Sequence, residues 1–226
     1  MIDWAWAADH LDELAFRTLQ HLYLTAIAVV VGFVISFGLA VWSVRRREVY
    51  PPIAAVAGIL YTIPSLAMFA ALVPVTGLRS IVTAEVPLVA YTLLIFTRNI
   101  VSGFDAVPRD VLEAADGMGY TTRRRLWLVE LPLAIPLVIA GIRLATVSTI
   151  GLVTVTGILG DSLGGLGFFI FEAYRRSFVT ETLFGAIPLM ILAVAADIAL
   201  VRLQRRLTPW SRPRTAADDP TIATAG

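Results

Sequence analysis

Leu22–Val44 runs for 23 residues without a charged side chain. Coiled as a helix it is about 35 Å long, enough to cross the hydrocarbon core of a bilayer with some tilt. A stretch like this leaves little choice of fold class: it predicts an all-α integral membrane protein. Composition agrees, with 58% hydrophobic and 15% charged residues, against about 45–50% and 25% in soluble domains. Gly32, Ser36 and Ala40 recur every fourth residue and form a small-residue stripe for close helix packing. Arg45, Arg46 and Arg47 end the span. Residues 1–20 hold four acids and no basic lead-in to the apolar run, so the run is expected to remain as a span behind an external N-terminal segment.

Four further spans are expected, near residues 53–75, 84–103, 133–159 and 182–203. In the second, Pro64 removes a backbone hydrogen bond and predicts a kink. The third needs Glu85 at one interface, with Arg98 and Asn99 snorkelling at the other. The glycine-rich run Gly160–Gly167 is unsuited to a regular helix, and Phe168–Tyr174 is too short to span. Residues 208–226 read as a flexible tail.

With five crossings the termini lie on opposite sides. One side then carries 13 arginines, including Arg45–Arg47, Arg123–Arg125, Arg212 and Arg214; the other carries Arg17, Arg79, Arg175 and Arg176. The positive-inside rule puts the N-terminus outside, and the C-terminus and the loop 104–132 in the cytoplasm.

That loop is a polar island between spans. Asp105 ahead of Val107-Pro108 reads as the cap of a helix, with Asp110 and Glu113 in its first turns. Gly117 and Gly119 offer a left-handed stop. Thr121 or Thr122 is expected to cap a second helix ending at Pro132. Ala114 and Ala115 present a small face suited to a partner's groove.

Glu113-Ala114-Ala115, then Gly119 and Leu131-Pro132 at fixed spacing, resemble the EAA loop of membrane subunits of ATP-binding-cassette importers. His21–Thr25, Tyr61–Leu66, Gly141-Ile142-Arg143 and Gly164–Gly167 are similar to the osmoprotectant branch, permeases for glycine betaine, choline and carnitine. The resemblance implies that Glu113, Ala114, Ala115, Asp116, Gly117 and Gly119 form a coupling helix docked on an ATPase subunit. It further implies a pair of ATPase chains, a second permease subunit (identical or homologous), an extracytoplasmic substrate-binding protein and a bacterial cytoplasmic membrane. ATP and Mg belong to the ATPase: this chain has no Lys, hence no phosphate-binding loop of the Gly-rich, Lys-bearing kind, and no cofactor of its own is expected.

Within the spans stand two ionisable residues, Arg143 and Asp197. Each costs roughly 2.5–3.5 kcal/mol unpaired on insertion scales. Their depths, roughly 12 and 8 Å from the cytoplasmic ends, allow an ion pair; the alternative has Asp197 snorkelling while Arg143 faces the pore. The expected path between two subunits is lined by Tyr61, Thr62, Pro64 and Ser65, with Arg143, Thr146 and Thr149. An aromatic face there suits a quaternary ammonium. Two histidines, no cysteine and no HExxH pair exclude familiar hydrolase and metal chemistry, and the arginines follow one membrane side rather than a nucleic-acid face. Two alternatives stay open: another small cargo (amino acid, methionine or oxyanion), or an ATP-independent channel or secondary transporter.

Overall fold

The computed structural model describes residues 2–211, and Arg212, Arg214 and the remainder of the expected tail lie outside them. The described residues are helical throughout, without strands. Helix α1 (Trp4–Asp9) starts at Asp3, whose carboxylate accepts from the Trp6 N–H at 3.0 Å. Then follow α2 (Leu11–Arg45), α3 (Tyr50–Thr62), α4 (Ser65–Thr76) and α5 (Ile81–Asp105). The cytoplasmic-loop candidate forms α6 (Arg109–Gly117) and α7 (Thr122–Arg125); a π-helical turn (Leu126–Glu130) leads into α8 (Leu131–Val153). A 3-10 turn (Thr154–Leu159), α9 (Gly167–Arg176) and α10 (Val179–Leu207) complete the fold. Thr208 is buried and Pro209–Ser211 forms a 3-10 turn, so structure continues past the expected start of the tail.

Packing sets the directions. Arg47, just past α2, pairs with Asp105 at the end of α5, while Leu24, in the first half of α2, and Ala84, near the start of α5, share one buried cluster. Helices α2 and α5 therefore run parallel, and α3 with α4 must carry the chain back between them. Taken as one crossing, the bent pair joins four helices long and apolar enough to span, which gives up to five crossings among the described residues. The stripe on α2 faces α5: a Cβ on Gly32 meets Thr92 Oγ1 at 1.8 Å, the Ser36 hydroxyl donates to the Leu93 carbonyl at 3.4 Å, and Ala40 is fully buried. Without a hydrophobic force between helices in lipid, such close backbone approach supplies the attraction. Helix α8 runs antiparallel to α5, with Gly103 against Ala134 and Gly141 against Asn99. Helix α10 packs on α8 and α9 and leaves Ile187, Met190, Ile191 and Val194 exposed.

Four expectations are corrected. Pro64 does not kink one helix; α3 and α4 meet at 90°. Ile63 is extended (ψ 127°), as a residue before proline prefers, and Pro64 is extended too (ψ 129°), so two residues leave the helical well together. Glu85 lies one turn inside α5, which begins at Ile81, and is buried by its own chain. Asn99 does not snorkel; its amide donates to the Ile95 carbonyl at 2.8 Å and packs on Gly141. Asp105 ends α5 and pairs with Arg47, and α6 starts after Pro108 without a side-chain cap. Pro132 does not stop its helix. The Leu131 N–H reaches back five residues to Leu126 through the π-helical turn, and Pro132 falls in the first turn of α8, where a missing N–H is tolerated.

Candidate functional site

Two regions and a buttress matter. In the first, α6 ends by returning its backbone: Met118 N–H donates to Ala114 (3.0 Å), Gly119 N–H to Asp116 (2.9 Å) and Tyr120 N–H to Ala115 (3.2 Å). Gly119 sits at φ +77°, the left-handed region that glycine enters without a Cβ penalty. Thr121 then caps α7, its hydroxyl accepting from the Arg124 N–H at 3.3 Å. Arg125 ties the turn together, donating to Asp116 at 2.5 Å and to the buried Glu130 at 2.8 Å. The predicted coupling residues thus divide. Ala115 is buried against its own chain, so it is no part of an outward small face, and Asp116, itself exposed, is engaged by Arg125 of the same chain. Glu113, Ala114, Gly117 and Gly119 are exposed, and Met118, which sequence reasoning passed over, stands 68% exposed beside them.

The second region lies along the membrane-spanning helices. Arg143 and Asp197 meet as a two-point ion pair, Nε to Oδ1 and Nη2 to Oδ2, the latter at 3.0 Å. Side-chain exposures of 43% and 34% set the pair at an open cavity of about 290 Å³, with Ala140, Leu144 and Val147, rather than in the core. Tyr61 and Thr149 share a different cavity of about 220 Å³, which also takes in Tyr91, Thr92 and Ser148. Thr62, Pro64, Ser65 and Thr146 do not line it. The Thr62 hydroxyl turns back to the Ile59 carbonyl (2.8 Å) and that of Thr146 to Ile142 (2.7 Å), as hydroxyls in apolar helices commonly do. Tyr91 is the residue sequence reasoning missed: its hydroxyl donates to the Ile63 carbonyl, which the break between α3 and α4 strips of a helical donor. No local motif announces it, since Tyr91 lies 28 residues from its partner.

At the opposite end from α6, α2 grips the glycine-rich run. Arg17 donates to the Asp161 carbonyl, and Gln20 bonds the Ser162 carbonyl (2.6 Å) and the Gly165 N–H (2.9 Å). His21 is fully buried, bridging the Ile150 carbonyl (2.9 Å) through Nε2 and the Leu166 N–H (3.3 Å) through Nδ1. This fixes the proton on Nε2. Gly165, at φ +48°, lies where a Cβ would strike His21 at 2.9 Å. The run is therefore an ordered buttress, and Asp161 enters it through its backbone.

Comparison with known proteins follows the same lines. Residues 28–212 match the family described as "Binding-protein-dependent transport system inner membrane component". The chain is 36% identical over 200 residues to the glycine betaine/carnitine/choline transport system permease protein OpuCB of Bacillus subtilis, covering 87% of this chain and 89% of that protein. It is 36% identical over 205 residues to the choline transport system permease protein OpuBB of the same organism (89% and 92%), and 35% identical to the osmoprotectant import permease protein OsmW of Salmonella typhimurium (89% and 94%). Among solved structures, the MetNI methionine ABC transporter in an inward-facing form aligns with a TM-score of 0.74 at 24% identity, over 86% of this chain and 96% of that one. A likeness at that identity concerns the fold alone. The chain belongs to the inner-membrane components of binding-protein-dependent transport systems: it is a multi-pass membrane permease subunit, a transport component rather than an enzyme.

Proposed function

We propose that this chain forms half of the translocation path of an ATP-driven importer for a quaternary-ammonium compatible solute such as glycine betaine, choline or carnitine. It works with a second permease subunit, an ATPase pair and an external substrate-binding protein. The N-terminus lies outside and α6 lies in the cytoplasm. ATP and Mg are handled by the ATPase chains. The cargo class is supported by relatives above 30% identity whose names carry it. The coupling role is carried by one observation: α6 projects Glu113, Ala114, Gly117 and Met118 into solvent, while Ala115 and the Asp116–Arg125 bond hold its other face to the π-helical turn. A helix braced on one side and bare on the other can pass a push from a partner into α8.

The test is ATP-dependent uptake of labelled glycine betaine into proteoliposomes holding this chain with its ATPase and binding protein. Glu113→Arg, on the bare face, is expected to abolish uptake while the subunit still inserts. Uptake that persists without any ATPase overturns the importer. ATP hydrolysis stimulated by this subunit, without uptake of any quaternary amine, keeps the importer and discards the cargo.

A further inference from the structure

Tyr61 closes α3 and Tyr91 stands mid-way along α5; their ring centroids are 5.5 Å apart and the rings meet at 62°. The rings meet edge to face, and both line the cavity of about 220 Å³ that Ser148 and Thr149 of α8 also line. The Tyr91 ring is anchored, because its hydroxyl is spent on the Ile63 carbonyl. Tyr61, 44% exposed, is the freer of the two. No acidic or basic side chain lines the space. Its volume is below the roughly 300–1,000 Å³ of sites for drug-sized ligands, so it suits a head group of a few heavy atoms.

We infer that this two-tyrosine cavity is a transit site for the quaternary ammonium head of the cargo, held by the faces of Tyr61 and Tyr91 on its way across the membrane. The inference rests on the cargo reading above. A quaternary ammonium has no N–H to donate, so hydroxyl and carbonyl oxygens alone do not select it. Its methyl groups carry the positive charge outward, and aromatic faces attract such a surface while tolerating its apolar character. The absence of a carboxylate from the lining matters as much. An ion pair in this setting would hold the cation tightly, whereas two ring faces hold it weakly enough to leave. The hydroxyls of Ser148 and Thr149 offer hydrogen bonds to the polar end, whether carboxylate or alcohol, while that of Thr92 is already spent on the Val89 carbonyl (2.7 Å).

The experiment uses the complete transporter in proteoliposomes and reads the maximal rate of ATP-driven uptake of choline and of glycine betaine. Tyr61→Phe is expected to keep the rate within about two-fold. Tyr61→Leu is expected to lower it roughly five- to thirty-fold, the span of a cation–π contact of one to two kcal/mol. Position 61 is also filled with phenylalanines bearing one, two and three fluorines, which drain the ring face at nearly constant shape and so leave folding alone. A graded fall in rate with fluorine number supports the site. A flat fluorine series, or wild-type uptake by Tyr61→Leu, overturns the site while leaving the importer intact. Wild-type proteoliposomes that take up neither amine overturn the cargo reading, and the site with it.

Discussion

Arg143 and Asp197 illustrate what a single residue pair contributes at the membrane. Depth along two separate spans was enough to predict that they can meet, and they do so through two parallel contacts. Removing either partner leaves a charge in a poorly hydrated setting, whereas removing both leaves none. Arg143→Ala and Asp197→Ala are each expected to lower the detergent melting temperature, and the double variant no further than either single one. Additive losses in the cycle would mean that the two act independently. Tyr91 is the counter-example at this scale. Its partner is a carbonyl exposed only by the break at Ile63, so no pattern of residue types could reveal the contact.

At the scale of elements, the α2–α5 pair is the frame on which the rest is hung. The small-residue stripe was legible because its period of four is a property of the sequence; its partner was not, because any of four other spans might have received it. Gly32→Leu forces a side chain into Thr92 and Phe96, both buried. It is expected to destabilise the subunit by about 1–3 kcal/mol, read by thermal melting in detergent, with Thr92→Ala recovering part of the loss. No recovery would mean that the stripe faces something else. The broken helix α3–α4 teaches the converse. A proline in an apolar run announces that a hydrogen bond is lost, but whether the chain bends slightly or turns by 90° depends on what receives the freed carbonyl, and here Tyr91 does.

For the whole molecule, α1, α9 and the glycine-rich buttress lie at one end, and α6 with the arginine-rich end of α2 and the Asp105 end of α5 at the other. The proposed orientation in the membrane rests on the arginine bias of the sequence, 13 against 4. The chain has no cysteine, so single cysteines report topology without background. Tyr174→Cys, on an exposed side chain of α9, is expected to react with an impermeant maleimide in intact cells, and Arg123→Cys, in α7, only after the membrane is opened. The reverse pattern would invert the subunit and remove α6 from the reach of any cytoplasmic ATPase.

By itself the sequence determined the solvent, the secondary structure and the order of the pieces. Long uncharged runs can only be helices in lipid, and polar islands can only lie outside it. It also marked out the segment proposed to couple, since Glu113 and Gly119 occupy a loop whose chemistry is local. Tertiary structure alone decided which faces remain free. Ala115 is buried and the exposed Asp116 is tied to Arg125, Glu85 is buried because α5 starts a turn early, and Tyr61 gains an aromatic partner only when α3 folds back beside α5. Each of these depends on contacts between segments far apart in the chain, and such contacts leave no periodic trace in a single sequence.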